Sequence, residues 1–287
     1  MAVEGICNIC GKPGPLSKEH IPSKGAFKDR EYRVEIQDGE AWLEGRPGRI
    51  YQRGFHRHTL CQKCNNETGR LYGVEFAKWS RWGLTLLEEM RKPQPGHVPV
   101  YSGYPARIAK QVVSTMLAAS QPGLGERNPD LRAFVREPSR TLNSLRLRTY
   151  LCPTGSGRMT GVAAKLDTHT GGQHILVEFS LPPFGYILTL AGTPLDHRPV
   201  DIGWFAACRY DEERPVDLPQ IPVLPTYLPF PEDYRSKDEI RRDVIQNILD
   251  EQNHPDSKAE AARIMAAGDG PAFFAANGED WSNVGAA

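Results

Sequence analysis

Glu19-His20-Ile21-Pro22 lies between two copies of one metal-ligand pair, Cys7-Asn8-Ile9-Cys10 before it and Cys61-Gln62-Lys63-Cys64 after it. Each Cys-x-x-Cys turn supplies two thiolates to a tetrahedral zinc, and two such turns close all four positions, which makes a structural site with no open place for a reactant. Any chemistry must then sit beside the metal. Beside it stand a carboxylate and an imidazole, Glu19 and His20, and an amide directly after the last cysteine, Asn65.

Gly5, Gly11 and Gly14 surround the first cysteine pair and allow the backbone to bend around a metal. Leu16 to Ile21 reads as a strand. Adjacent residues of a regular strand face opposite ways, so Glu19 and His20 serve one site only if the strand ends or bulges here. The two cysteine pairs are separated by 50 residues, against about 15–20 in the common double pattern. Loop-closure entropy grows logarithmically, so tripling the loop costs on the order of 1 kcal/mol, while structural zinc contributes roughly 10–16 kcal/mol in small peptides. The long spacing is therefore compatible with zinc. Strand-like pieces occur in it at Tyr32 to Ile36 and Arg49 to Phe55, and Arg46, Arg49, Arg53 and Arg57 are candidate phosphate contacts.

The order Cys-x-x-Cys, Glu19-His20-Ile21-Pro22, then Leu60-Cys-x-x-Cys-Asn65-Asn66 resembles the HNH endonucleases of the His-Me finger superfamily, over about the first third of the chain. In that family a ββα unit wrapped on a zinc knuckle cleaves nucleic-acid phosphodiesters with one divalent metal. The resemblance implies structural zinc on Cys7, Cys10, Cys61 and Cys64, His20 in the place of the motif's first His, and Asn65 in that of its last His or Asn. Glu19 takes the acidic position, which is often Asp. Asn66 is a weaker alternative to Asn65. The middle Asn has no evident counterpart; His56 and His58 precede Cys61, and His58, nearer the knuckle, is the preferred candidate. The residue chemistry agrees with these roles. A neutral imidazole suits a general base at neutral pH, and a carboxylate with an amide oxygen suits a hard cation, Mg²⁺ or another divalent ion, as the catalytic metal. The expected partner is nucleic acid, double-stranded DNA in the first place, and similar proteins often serve bacterial restriction or anti-phage defence. The competing reading is a zinc knuckle that only scaffolds or docks a partner. A zinc deaminase would want His-x-Glu and Pro-Cys-x-x-Cys, and neither occurs.

The 287 residues carry no net charge, yet residues 1–160 hold 25 Lys/Arg against 15 Asp/Glu and residues 161–287 hold 10 against 20. A basic front half is what a polyanion-binding protein needs. No apolar run of membrane-spanning length and no secretory leader is read, so the expected location is the cytoplasm and no membrane partner is expected. Cys152 and Cys208 stand singly in apolar runs, as buried reduced thiols do.

Beyond the knuckle the periodicity predicts an α+β protein in three parts: residues 1–95 as the HNH-like unit, 96–235 as an α+β specificity or partner domain, and 236–287 as an amphipathic helix with a tail. A helix is predicted from Asn65 to about Met90, with Trp79 and Trp82 in its core stripe, ended by Pro93, Pro95 and Gly96. Pro105 opens a second helix with Ile108, Val112 and Met116 in line and Lys110 off that line. Asn128-Pro129-Asp130 reads as a cap and first turn of a short helix through Val135. Leu145 to Leu151, Gly161 to Leu166, His174 to Phe179, Gly185 to Leu190 and Ile202 to Tyr210 read as strands of an antiparallel sheet. Six prolines from Pro215 to Pro231 form an extended linker. Ser236-Lys237-Asp238-Glu239 then caps a helix carrying Ile240, Val244 and Ile248. The acidic C-terminal half is a candidate for a protein-partner or control role over the basic site.

Overall fold

Alternation at the N-terminus produces the first sheet. In the computed structural model β1 (Val3–Ile6) pairs antiparallel with β2 (Pro13–Ile21), Gly5 facing Gly14 across the turn that holds Cys7 and Cys10. The structure describes residues 3–21, 33–37, 49–52, 55–90, 92, 100–121, 123–152, 156–166, 173–192, 199–218 and 221–224. They fall, apart from Leu166, within one contact unit formed by Met1–Lys165 and Gln173–Glu232. The predicted C-terminal helix and tail, 236–287, and most of the proline linker lie outside the described residues.

After β2 the chain forms β3 (Arg33–Gln37) and β4 (Arg49–Gln52), an antiparallel pair, then returns as β5 (Phe55–Cys61) along the free side of β2. The first sheet thus has the order β1-β2-β5. Cys61 ends β5 and at once becomes the N-cap of α1 (Gln62–Thr68). A π-helical turn at Gly69–Gly73 follows, and α2 (Val74–Met90) continues from it with helical dihedrals at each junction. The helix predicted from Asn65 therefore starts three residues earlier, because the second cysteine turn is itself its first turn.

Next come β6 (Tyr101–Gly103), α3 (Pro105–Ala119), α4 (Gly123–Arg127) and α5 (Pro129–Arg136). Pro105 and Pro129 sit in first turns, where a missing N–H costs nothing. Asn128 occupies the predicted cap position, but its side chain makes no cap bond and donates instead to the Leu124 carbonyl at 2.8 Å. Lys110, expected off the apolar line, is fully buried, since α3 is enclosed on nearly all sides.

The second sheet uses β7 (Leu147–Leu151), β8 (Ser156–Leu166), β9 (Gln173–Leu181), β10 (Phe184–Ala191) and the short β11 (Val200–Asp201), in the order β11-β7-β10-β9-β8-β3-β4. β3 runs parallel to β8, with Arg33 opposite Ser156. The stretch between the two cysteine pairs is thereby built into the large sheet. Leu147, Leu151, Val177, Phe179, Phe184, Tyr186 and Leu188 point to the main core, while Tyr150, Cys152, Leu176 and Ile187 pack on the opposite face with Leu224. That alternation is the period-two pattern of a two-sided sheet. Trp79 is sealed in the main core, stacked on Phe184 at 4.6 Å and donating its indole N–H to Tyr186 Oη at 2.9 Å.

The strand predicted over Ile202 to Tyr210 is not formed. A 3₁₀ turn occupies Gly203–Ala207. Asp201 Oδ1 accepts the Gly203 N–H at 2.7 Å, and a Cβ at Gly203 would lie 2.3 Å from the Leu145 carbonyl. Aspartate two residues before glycine is turn chemistry, and it overrides the apolar run. β12 (Arg214–Val216) then pairs with β6. The class is α+β with helices and antiparallel sheets. Among the described residues, no helix is long and apolar enough to cross a membrane.

Candidate functional site

The cysteine cluster forms because a tight turn and a strand-to-helix junction are brought together by the β2–β5 pairing. Leu16 lies opposite Cys61. Gly11, at φ +72°, lets the first turn close, its N–H bonding the Cys7 carbonyl at 2.8 Å. The sulfurs of Cys7, Cys10, Cys61 and Cys64 all lie within 4.8 Å of one another, and Cys10 Sγ is 3.9 Å from Cys61 Sγ. Tetrahedral zinc–thiolate bonds of about 2.3 Å set sulfurs about 3.8 Å apart, so the donors fit such an ion. Their protons show the same fit: the Cys64 thiol, donating to Cys7, holds Cys7 down to about 4, while the Cys7 thiolate and burial push Cys64 far up. Burial and the neighbouring sulfurs push the Cys10 and Cys64 thiols up, and a cation among them favours their thiolate forms. These cysteines are the one group of three or more His, Cys, Asp or Glu set to hold a metal among the described residues.

A cavity of about 490 Å³ opens beside this cluster, lined by Lys18, Glu19, His20, His56, Asn65, Thr68, Gly69 and Gln111. Glu19 and His20, adjacent on β2, both line it, next to an irregularity in the β2–β5 ladder. Between Ser17↔Leu60 and Glu19↔Arg57 the register advances two residues on β2 and three on β5, so a bulge falls at His58-Thr59. Beyond it His20 faces His56, their rings edge to face at 4.8 Å.

Glu19 is half-buried, but its Oε2 is sealed from solvent and has no hydrogen-bond partner among the described residues. Burial, and then the Cys7 thiolate, push its carboxyl up to about 8. A carboxylate in that position favours a cation beside it. Asn65 is oriented by a relay: Ser17 Oγ donates to the Leu60 carbonyl at 2.9 Å and accepts from Asn65 Nδ2 at 3.1 Å. The amide nitrogen is thus bound to Ser17, which leaves Oδ1 as the acceptor of a residue that lines the cavity. A carboxylate oxygen with an amide oxygen is the donor set of a hard cation that keeps several waters, whose requirement for protein ligands is small.

His58 is exposed and is not among the cavity-lining residues; His56 takes the place beside His20. Asn66 turns away, its Oδ1 accepting from Gln62 Nε2 on the exposed side of α1. Arg57 lies opposite Glu19 with its guanidinium over Phe55, while Arg46 and Arg53 fall outside the described residues. Gln111, Thr68 and Gly69 were not foreseeable from the motif. Thr68 ends α1 and Gly69 opens the π turn directly after it, a widening that often marks functional sites, and Gln111 comes from α3, remote in sequence. No protein-family model, no curated protein and no solved structure matches this chain.

Proposed function

We propose that this chain is a metal-dependent HNH-type endonuclease that hydrolyses phosphodiester bonds of nucleic acid, with β2, β5 and α1 as its ββα unit and zinc on Cys7, Cys10, Cys61 and Cys64. The observation that carries the reading is the sharing of one cavity by Glu19, His20 and Asn65, with the Glu19 Oε2 atom sealed and unsatisfied. His20 acts as general base on a water aligned with the scissile phosphorus, and His56 packs its ring against the imidazole. Glu19 and Asn65 would hold a divalent cation such as Mg²⁺, which supplies charge stabilisation to the non-bridging and leaving oxygens. Asn65 keeps its oxygen aimed inward through Ser17. Lys18, exposed at the cavity rim, is placed to contact a flanking phosphate. The four cysteines hold the two ends of the unit together and take no part in the reaction.

Double-stranded DNA is the proposed substrate, in keeping with the basic balance of residues 1–160. A cytoplasmic setting, where thiols stay reduced, suits the free cysteines, and a role in restriction or anti-phage defence is what the family resemblance implies. The acidic C-terminal half is proposed to restrain the site or dock a protein partner, so truncation after Arg235 raises nicking at low salt.

The test is nicking of supercoiled plasmid by the zinc-loaded protein in Mg²⁺, with single-stranded DNA and RNA in parallel. His20→Ala is expected to lower the rate by about 10²–10⁴-fold without loss of zinc. Equal cleavage by the variant would remove His20 from the mechanism. Cleavage by neither protein would favour a zinc-dependent binding module.

A further inference from the structure

Gln111 stands on α3, outside the strands and helix that carry Glu19, His20 and Asn65, yet its side chain forms part of the same cavity wall. It is 6% exposed. Its neighbours settle which end of the amide is left without a partner. Thr115 Oγ1 gives its only hydrogen to the Gln111 main-chain carbonyl at 2.9 Å, so toward the Gln111 side chain it can act only as an acceptor. Gln111 Nε2 donates to it at 3.4 Å. The reversed amide would set two acceptors against each other. Oε1 is therefore the end of the amide left over, buried and with no hydrogen-bond partner among the described residues, on a residue that lines the cavity.

An acceptor in that state costs about 1–3 kcal/mol when nothing fills it, and a helix otherwise lined by Ile108, Val112 and Met116 could carry an apolar residue here at no such cost. The oxygen calls for a donor. A phosphate oxygen is itself an acceptor and is excluded by its chemistry. A water bound to a divalent cation is a strong donor, because the cation polarises its O–H bonds. Two residues that line one cavity from different elements, Glu19 and Gln111, thus each carry a buried oxygen without a hydrogen-bond partner among the described residues.

We propose that Gln111 is a positioning residue whose Oε1 accepts a hydrogen bond from a cation-bound water in the Glu19–Asn65 cavity, fixing that water relative to His20. The inference rests on the nuclease reading and adds to it a residue from α3, beyond the stretch on which the family resemblance stands. It makes α3 a wall of the reaction site as well as the core of the fold.

The test uses the full-length, zinc-loaded protein with Mn²⁺ as probe, free ion being followed by electron paramagnetic resonance, for wild type, Glu19→Gln, Gln111→Met and Gln111→Glu. Gln111→Met preserves length and burial and is expected to weaken Mn²⁺ binding by about 10–100-fold, the range for partners that orient metal ligands. Plasmid KM should stay unchanged. Gln111→Glu, which restores an acceptor, is expected to bind Mn²⁺ at least as tightly as wild type. Melting temperatures of the zinc-loaded proteins separate this pattern from general destabilisation. Wild-type affinity in Gln111→Met, with Glu19→Gln impaired, overturns the role of Gln111 and leaves the nuclease reading standing. Equal weakening by both Gln111 variants in step with lost stability also overturns it. If wild type binds no Mn²⁺, or binds it independently of Glu19, both readings fall together.

Discussion

Glu19 is the residue on which the site's electrostatics turn. Its carboxyl is raised from 4.5 to about 8 by burial first and the Cys7 thiolate second. Between those values the folded chain keeps a proton that the unfolded chain has lost, so this stabilisation is complete below about pH 4.5 and gone by about pH 8. Without a divalent cation, the zinc-loaded protein should therefore melt at progressively lower temperature from pH 5 to pH 8. The slope should approach 1.4 kcal/mol per pH unit at most, as an order of magnitude. Glu19→Gln should flatten the slope, and Mg²⁺ should restore stability at the alkaline end; thermal melts at several pH values measure both. Glu19, His20 and Asn65 were legible in the sequence because motif and spacing name them. The choice between His56 and His58 was not. In an unbroken ladder continued from Ser17↔Leu60, His58 would lie opposite Glu19; the bulge shifts the register by one, which brings His56 against His20. A single extra residue in a ladder leaves no mark on the amino-acid pattern.

Among the elements, α3 departs furthest from its amphipathic reading. Ile108, Val112 and Met116 mark one buried line, but the helix is enclosed by α2, α5, the first sheet and the 3₁₀ turn, and Arg107 is the one residue of it left half-buried. Arg107 fills its gap by stacking between Tyr104 and Tyr210, 3.9 and 4.3 Å from their ring centres. Lys110 is tolerated because its ammonium donates to the carbonyls of Phe134, Glu137 and Arg140 and lies over the Phe134 ring, closing the C-terminal end of α5. Periodicity cannot anticipate this, since the three acceptors come from residues 24 to 30 positions away. Lys110→Met keeps the volume and leaves those carbonyls unpaired, so urea unfolding should show a loss of about 3 kcal/mol. The helix from the second cysteine pair was legible from its apolar period and its stop signals. Its π turn was not, because Gly69-Arg70-Leu71-Tyr72-Gly73 carries no signature that separates one helical hydrogen-bond pattern from another.

At the scale of the molecule, the cysteine turn is anchored to the end of α3. Asn8 Nδ2 donates to the Leu117 and Ser120 carbonyls at 2.8 and 3.0 Å, and Thr59 Oγ1 donates to the Ala118 carbonyl at 2.6 Å. Arg132 Nε returns a bond to the Asn8 carbonyl at 2.9 Å. The first cysteine turn, the cavity and the α3 wall are therefore mechanically one piece. Withdrawal of zinc with a strong chelator should lower amide protection at residues 117–120 as well as in the knuckle. Asn8→Ala should cost about 2 kcal/mol and weaken the same protection; hydrogen exchange read by mass spectrometry reports both. The α+β class was legible from the alternating strands after Leu145. That the stretch between the cysteine pairs would cross to the large sheet and lie parallel to β8 was not, because parallel pairing over so long a separation depends on no local signal.

The proposed chemistry requires the cavity beside the cysteine cluster to take a hard divalent cation on Glu19 and Asn65. Anomalous diffraction at the manganese edge, from crystals of the zinc-loaded protein soaked in Mn²⁺, locates such an ion. The predicted result is a manganese peak about 2.0–2.3 Å from Glu19 Oε2 and Asn65 Oδ1, the range of hard cation–oxygen bonds, distinct from a zinc peak among the four sulfurs. A cavity without manganese, with Glu19 and Asn65 bound only to water or protein, would contradict the account.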